Sequence, residues 1–311
     1  MKSFIITIDT EAENQWDKDG AITTENAKYL PRFQELCEKY NFIPTWLTNY
    51  EMAMDDYFVN YMKPKAIAGK CEIGMHLHAW STPPEYEIPH VTDEKPYLIE
   101  YPVDTMEAKI KTMTSVIEER FGFRPLSHRS GRWAMDENYF KLLCKYGYSV
   151  DCSVTPGISW REHKGRSGIP GSDYSREKNT AHMTESGVLE VPLSCDKMHM
   201  FLPDSIRSFR NVLGETKRLI TGRPQWLRID NTISSAGANK LAERLSKNNA
   251  DYLMFMIHSS ELMPGGNPTF KNEKDIEWLY DRLEELFGLI KELGYEGKSL
   301  KDYANEYKEN N

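Results

Sequence analysis

The sequence alternates short runs of apolar and β-branched residues with longer segments of helical periodicity. This alternation is typical of a parallel α/β sheet or barrel, in which a helix connects each strand to the next. Eight strands are predicted: Phe4–Asp9, Phe42–Leu47, Cys71–His76, Pro125–Arg129, Tyr148–Cys152, Val188–Leu193, Gln225–Asp230 and Leu253–His258. This number of strands favours a barrel.

The segments between these runs predict amphipathic helices. Apolar residues spaced for one helix face run from Asp275 to Leu293, which predicts a long helix there. Asp104 and Asp136 precede two further helical segments and are predicted to cap them. The 311 residues would suffice for two domains, but strand and helix alternate in the same style throughout. We therefore expect a single domain over residues 1–311.

Two connections are too long to be simple turns. One is the proline-containing segment 79–103, and the other is the segment 153–187, rich in glycine, serine and charge. Irregular connections longer than about 12–15 residues are often functional in compact domains. They follow the third and fifth predicted strands, so both are expected at the same edge of the barrel, where they would influence substrate choice.

The charge balance excludes several classes of partner. The chain has 39 basic and 47 acidic residues, and the net charge of −8 makes binding to nucleic acid or an anionic membrane unexpected. No apolar run approaches the roughly 18 residues of a membrane helix.

The sequence also bears on the location of the protein. The apolar stretch before Asp9 is too short for a secretory signal. The five cysteines contain no C-x-x-C pair. We expect a cytoplasmic protein with reduced cysteines.

Acidic and histidine pairs stand at the ends of two predicted strands. The first strand ends T-I-D-T-E, so Asp9 and Glu11 point to the same side if the strand continues. The third ends E-I-G-M-H-L-H-A-W, which gives His76 and His78 the same spacing. Two imidazoles and a carboxylate are suitable ligands for zinc and similar divalent ions.

Further polar side chains follow other predicted strands. Arg129 ends the fourth, where its guanidinium could hold a buried carboxylate ionised, and His128 and Arg132 are alternatives for that role. His258 ends the last strand, where a histidine suits general acid or base catalysis. Asp230 ends the preceding strand and could hydrogen-bond to that histidine. Parallel α/β folds place their sites at the carboxyl ends of the strands, so these positions together indicate one site.

The order of these motifs resembles that of the polysaccharide deacetylase family, metal-dependent carbohydrate esterases related to chitooligosaccharide deacetylase. T-I-D-T-E resembles the family's T-F-D-D-G, E-I-G-M-H-L-H-A-W its E-I-G-x-H-x-x-x-H, S-H-R-S-G-R-W its arginine motif, and F-M-I-H its closing histidine motif. The resemblance covers residues 4 to about 261. It implies an α/β fold, a distorted (β/α)7-type barrel with parallel strands, and hydrolytic removal of N-acetyl or related acyl groups from amino sugars.

The resemblance also implies a role for each motif residue. By position, Asp9 matches the catalytic base, Arg129 the arginine that orients it and His258 the catalytic acid, while Glu11 and His76 match metal ligands. There are two departures: Thr10 stands where the family has its metal aspartate, and Trp80 stands where it has its second histidine. His78 is the nearest substitute for that histidine. The implied site is Glu11, His76 and His78 around a divalent metal, with zinc favoured and cobalt, nickel or iron as alternatives.

Three functions are compatible with these residues. The first is a metal-dependent deacetylase that acts on an amino-sugar glycan or glycan precursor, with an oligosaccharide or small molecule as its substrate. In that case Asp9, Arg129, Asp230 and His258 carry catalysis, and Trp80, Trp133 and Glu261 contact the substrate. The second is hydrolysis of a non-sugar, non-peptide C–N bond on the same fold, and the third is carbohydrate binding without hydrolysis, for which Thr10 and Trp80 are the main argument.

Overall fold

The computed structural model describes residues 2–15, 22–198, 223–229 and 236–311. Within these residues, eleven strands form two sheets. The strands are β1 (Ser3–Thr10), β2 (Thr45–Thr48), β3 (Glu72–Leu77), β4 (Ser127–Ser130), β5 (Val150–Asp151), β6 (His182–Met183), β7 (Leu189–Glu190), β8 (Cys195–Met198), β9 (Arg223–Trp226), β10 (Tyr252–His258) and β11 (Glu296–Lys298).

Eight α-helices accompany these strands in the described part of the chain. They are α1 (Leu30–Lys39), α2 (Tyr50–Met54), α3 (Asp56–Ile67), α4 (Val103–Phe121), α5 (Glu137–Lys145), α6 (Ala236–Lys247), α7 (Glu273–Glu292) and α8 (Leu300–Asn310). Helix α7 confirms the long amphipathic helix predicted from the sequence. Asp136 caps α5 by accepting a hydrogen bond from the Tyr139 N–H, as predicted. Asp104 lies inside the first turn of α4, with Pro102 at the N-cap, so the cap predicted for Asp104 is wrong.

The main sheet is a curved half-barrel in the order β10-β1-β2-β3-β4-β5-β7-β6, with β11 also paired to β1. All of its pairs are parallel except β6 with β7. The predicted parallel barrel of the (β/α)7 type is thus confirmed. Its central strands are those that the apolar runs predicted, with ends displaced by one to three residues.

One of the predicted strands does not belong to the main sheet. The segment predicted as Gln225–Asp230 contributes β9, which ends at Trp226 and pairs antiparallel with β8 outside the main sheet. After it, Leu227 donates a hydrogen bond to the Ser194 carbonyl and accepts one from the Met256 N–H. Leu227 thus links Ser194, which follows β7, to Met256 of β10 without forming a regular strand.

The two faces of β1 separate the core into two parts. Phe4, Ile6 and Ile8 face outwards and belong to the cluster packed under the helices. Ile5 faces inwards and belongs to a smaller cluster inside the barrel. Because side chains alternate along a strand, Asp9 continues the inward row and lies at the carboxyl end of the barrel interior.

The opposite end of the barrel is closed by α8. Leu300, Tyr303 and Ala304 on this helix belong to the inner cluster, together with Tyr252 and Met254 of β10. The helix begins under β3, where the buried Glu72 carboxylate accepts a hydrogen bond from the Lys301 N–H at 3.0 Å. The inner cluster is thus packed against α8 at one end, and Asp9 lies at the other, carboxyl end of the strands. No helix among the described residues is long and apolar enough to cross a bilayer.

Candidate active site

Three buried side chains meet at the carboxyl ends of β1 and β3. The Nε2 atoms of His76 and His78 lie 3.6 Å and 2.9 Å from Oε2 of Glu11. All three ligand atoms lie within 4.8 Å of one another. In a tetrahedral site with bonds of about 2.0–2.2 Å, neighbouring ligand atoms are about 3.4 Å apart. The three residues therefore fit a divalent metal ion, with space for further ligands from solvent or substrate.

Local hydrogen bonds fix the His76 side chain and the Glu11 backbone. The Nδ1–H of His76 donates to the Arg129 carbonyl at 3.1 Å, which leaves the Nε2 lone pair directed at Glu11. Ser259 exchanges two hydrogen bonds with the Glu11 backbone, at 3.0 Å and 2.9 Å. Asn26 donates to the Glu11 carbonyl at 2.7 Å. Sequence reasoning missed Ser259 and Asn26, because a backbone contact leaves no motif.

The position of the Thr10 side chain explains why Glu11, and not Thr10, faces the histidines. Thr10 is the last residue of β1, and its hydroxyl donates to the Ile8 carbonyl at 3.0 Å. Its side chain is therefore bound to its own strand. Glu11 follows the end of β1, and the residues opposite it come from β3.

A second buried group is the ion pair of Asp9 and Arg129. The Arg129 Nη1 lies 2.5 Å from Asp9 Oδ1, and Nη2 donates to the Thr7 hydroxyl at 2.8 Å. Nε donates to the Cys152 carbonyl at 3.2 Å. Burial alone would raise the pKa of Asp9, but the Arg129 guanidinium, with the neighbouring histidines, holds that pKa below its usual value. Asp9 is thus kept as a carboxylate inside the barrel.

His258 completes the site from β10. Its backbone is in register with Asp9, and its Nε2 lies 3.9 Å from Asp9 Oδ2. Burial lowers the pKa of this imidazole, but Glu261 and the carboxylates of Glu11 and Asp9 outweigh burial and raise it above its usual value. His258 therefore holds its proton more firmly than an exposed histidine.

Glu261 is the carboxylate that lies beside His258. Its Oε2 is 3.6 Å from His258 Nδ1 and accepts the His258 N–H at 3.0 Å, while Oε1 pairs with Arg228. Burial raises the pKa of Glu261, but the Arg228 charge and His258 lower it to about 2. Both oxygens of this predicted substrate contact thus have partners within the protein. Asp230, predicted to pair with His258, lies outside the described residues.

His128, one of the two residues that the sequence offered in place of Arg129, has other partners. His128 Nδ1 lies 2.5 Å from Asp151 Oδ1, and its Nε2 is 2.8 Å from the Tyr139 hydroxyl. Burial lowers the pKa of His128. Asp151 also accepts from Ser153 at 2.9 Å, and the Ser153 hydroxyl accepts the Ser130 N–H. This buried network joins β4 to β5 beside Arg129, and sequence reasoning did not find it.

The site opens into a cavity of about 440 Å³. Besides the metal-site and catalytic candidates, the residues that line it are Gln15, Trp80, Asp93, Glu94, Lys95, Arg132 and Trp133. Arg132 and Trp133 both have left-handed backbones, with φ of 60° and 62°. Two consecutive non-glycine residues in this region are strained, and such strain is found mostly at functional sites.

Arg132 ties the two long connections together beside this cavity. It donates to the Lys95 carbonyl of one segment and to the Lys164 carbonyl of the other at 3.0 Å. The segments also bond directly, since the Val91 N–H donates to the Arg166 carbonyl at 2.8 Å. The segments 79–103 and 153–187 are thus bonded to each other beside the cavity, and the first of them contributes Trp80, Asp93, Glu94 and Lys95 to its lining.

The described features define a parallel α/β barrel with a buried acid–histidine–arginine site at the carboxyl ends of its strands. No family model and no curated protein sequence matches the chain. Among solved structures, one assigned as a polysaccharide deacetylase from Mycobacterium smegmatis is 15% identical with a TM-score of 0.53, covering 98% of this chain and 91% of that one. The resemblance to polysaccharide deacetylases is therefore confirmed for the fold.

Two glycan-remodelling enzymes have a similar fold. A GH57 branching enzyme from Thermococcus kodakaraensis, in complex with glucose, is 10% identical with a TM-score of 0.55, covering 98% of this chain and 71% of that one. A 4-α-glucanotransferase from Thermococcus litoralis is 13% identical with a TM-score of 0.52, covering 98% of this chain and 38% of that one. The fold alone does not separate these reaction classes, so the side chains of the site must decide between them.

Proposed function

We propose that this protein is a metal-dependent hydrolase that removes an acyl group, such as acetyl, from the nitrogen of an amino-sugar glycan or glycan precursor. The observation that carries this proposal is the Glu11–His76–His78 cluster beside the Asp9–Arg129 pair. A carboxylate and two imidazoles favour zinc, with cobalt, nickel or iron as alternatives. A bound ion of this kind would polarise the acyl oxygen and make a bound water more acidic.

The chain's own residues supply the proton transfers. Asp9 takes the proton of the attacking water, because Arg129 keeps it ionised and binds only its Oδ1, leaving Oδ2 on the side of His76 and His258. His258 donates a proton to the departing nitrogen, and its raised pKa keeps that proton available near neutral pH. Glu261 stabilises the protonated imidazole. Trp80 and Trp133 line the cavity and contact the substrate.

Two further parts of the proposal concern the whole chain. We propose that residues 1–311 form one catalytic unit, which is supported by the pairing of β1 with both β10 and β11. A cytoplasmic location, and with it a precursor or small amide as substrate, remains a prediction from the sequence.

The test is acetate release from N-acetylated chitooligosaccharides by the purified protein loaded with zinc or cobalt. The wild type should release acetate, chelation should abolish the release, and Asp9→Asn should lower the rate by at least about 10²-fold. Asp104→Asn, the same change at an exposed position of α4, should have no effect. An Asp9→Asn variant with the full rate would contradict the mechanism.

The same preparations separate the alternative functions. Release of amine only from non-sugar amides would favour the second class of hydrolase. Binding of chitooligosaccharides without acetate release, with zinc or cobalt present, would favour a binding protein. Cleavage of glycosidic bonds would place the chain with the transferases and branching enzymes that share its fold.

A further inference from the structure

The two candidate histidine ligands are oriented in different ways. The Nδ1 of His76 is bonded to the Arg129 carbonyl. The Nδ1 of His78 is buried and has no hydrogen-bond partner among the described residues. Metal-binding histidines are usually oriented by a hydrogen bond from the nitrogen that does not bind the metal. Apart from the contact of its Nε2 with Glu11, the orientation of His78 therefore comes from packing among the described residues.

Trp80 covers one face of the His78 ring. The ring centroids lie 4.3 Å apart and the planes are inclined by only 26°. Trp80 is two residues beyond His78 and is itself half-buried at the edge of the cavity. A ring stacked this closely opposes rotation of the imidazole about its Cβ–Cγ bond, because rotation would drive imidazole atoms into the indole.

Gly131 lies against the edge of the same ring. A Cβ atom at position 131 would lie 2.7 Å from Cδ2 of His78 and 2.6 Å from the Leu77 carbonyl oxygen. Both distances are shorter than a carbon atom tolerates, so only glycine allows the imidazole to sit here. Cδ2 is bonded to Nε2, the atom that faces Glu11, so this contact acts directly beside the ligand atom.

We propose that Trp80 and Gly131 are positioning residues that form a packing slot for His78 and direct its Nε2 at the metal site. The slot takes the place of the Nδ1 hydrogen bond that orients His76 and that has no counterpart at His78 within the described part of the chain. The inference rests on the proposed metal site and adds to it the residues that hold its third ligand. It also gives the indole of Trp80 a function besides lining the cavity.

The test measures metal affinity rather than catalysis. Zinc binding to each metal-free variant is measured by competition with a chromogenic chelator, and the cobalt absorption spectrum reports the ligand geometry. Trp80→Leu should weaken zinc binding by about tenfold or more, the usual effect of removing a group that orients a ligand. Trp80→Phe keeps a flat ring and should restore most of the affinity. Trp278→Leu, at a half-buried tryptophan on α7, is the matched control and should bind zinc like the wild type.

A second pair of variants tests the slot from its other side. Gly131→Ala should weaken zinc binding and alter the cobalt spectrum, because the new methyl group displaces the imidazole. Gly288→Ala makes the same change on α7, where nothing lies within 4 Å of the added atom, and should leave both unchanged. Unfolding temperatures of the metal-free proteins show whether a variant has lost its fold instead.

The outcomes separate this inference from the proposed function. A wild type that binds neither zinc nor cobalt contradicts the metal site itself. A wild type that binds zinc, with folded Trp80→Leu and Gly131→Ala variants that bind it equally well, overturns only the slot. If Trp80→Leu does not fold, Gly131→Ala and the cobalt spectrum of Trp80→Phe decide the question.

Discussion

Arg129 is the residue on which the ionisation of the site depends. It is fully buried, and its guanidinium contacts Asp9, Thr7 and the Cys152 carbonyl from three directions. A buried charge is tolerated only when it is paired and hydrogen-bonded. The planar fork of an arginine satisfies these contacts together, whereas a lysine ammonium has neither its reach nor its geometry.

We therefore expect Arg129→Lys to keep the positive charge but lose function. The pKa of Asp9 should rise because its bond to the guanidinium is lost, and kcat/KM should fall by about 10²-fold. Steady-state kinetics with the metal-loaded enzyme measure this. Arg176→Lys, at an exposed position, is the control. A variant with wild-type kcat/KM would show that Arg129 has no part in the reaction.

His258 and Glu261 predict a pH dependence with a defined sign. The raised pKa of His258 means that its protonated form, the proposed acid, persists to higher pH, and activity falls as pH rises through that pKa. Glu261→Gln removes the main carboxylate that raises it. The alkaline limb of the kcat/KM profile should therefore move to lower pH, while the acid limb, set by Asp9, should stay in place.

The pH profile of the Glu261→Gln variant also distinguishes a changed pKa of His258 from a loss of folded protein. A loss of folded protein would lower the whole profile without displacing its alkaline limb. An unchanged alkaline limb in a folded Glu261→Gln variant would exclude His258 as the group that titrates there.

At the scale of elements, the site depends on strand register. The β1–β10 pairing places Asp9 opposite His258, and the β3–β4 pairing places His76 opposite Arg129. A shift of one residue in either pair would turn these side chains to the other face. The segment 79–103 then lines the site from one side, and Arg132 joins it to the segment 153–187.

Arg132→Met should loosen that cover. It removes two hydrogen bonds to backbone carbonyls, each worth about 1 kcal/mol, so the opened form of the segments should gain about fivefold per bond. Hydrogen exchange of residues 91–97 and 163–167 should accelerate, and KM should rise more than kcat falls. Arg176→Met, an exposed arginine of the same segment, should change neither.

The sequence predicted those elements whose signal is local. The apolar runs that became β1 and β10 predicted those strands, and the acidic and histidine pairs at strand ends predicted which residues meet. Arg228 and Ser259 could not be predicted, because each acts through contacts with residues distant in the sequence. Helix α8 was missed because its apolar positions are few.

At the scale of the molecule, stability depends on the closure of the barrel at the end opposite the site. Leu300 of α8 is fully buried in the inner cluster. Leu300→Ala should lower the free energy of unfolding by about 2–5 kcal/mol, measured by chemical denaturation. Ile67→Ala, at a residue that is 71% exposed, should change it by less than about 0.5 kcal/mol. Equal effects of the two changes would contradict the role of α8.

The pairing of β1 with β10 also has a consequence for synthesis. The Asp9 and His258 backbones are direct neighbours in the sheet, although the two residues are far apart in the sequence. During translation, the edge of β1 that pairs with β10 must therefore wait unpaired until β10 leaves the ribosome. The side chains of Asp9 and His258 cannot meet before that moment, so the candidate site forms only after β10 has been synthesised.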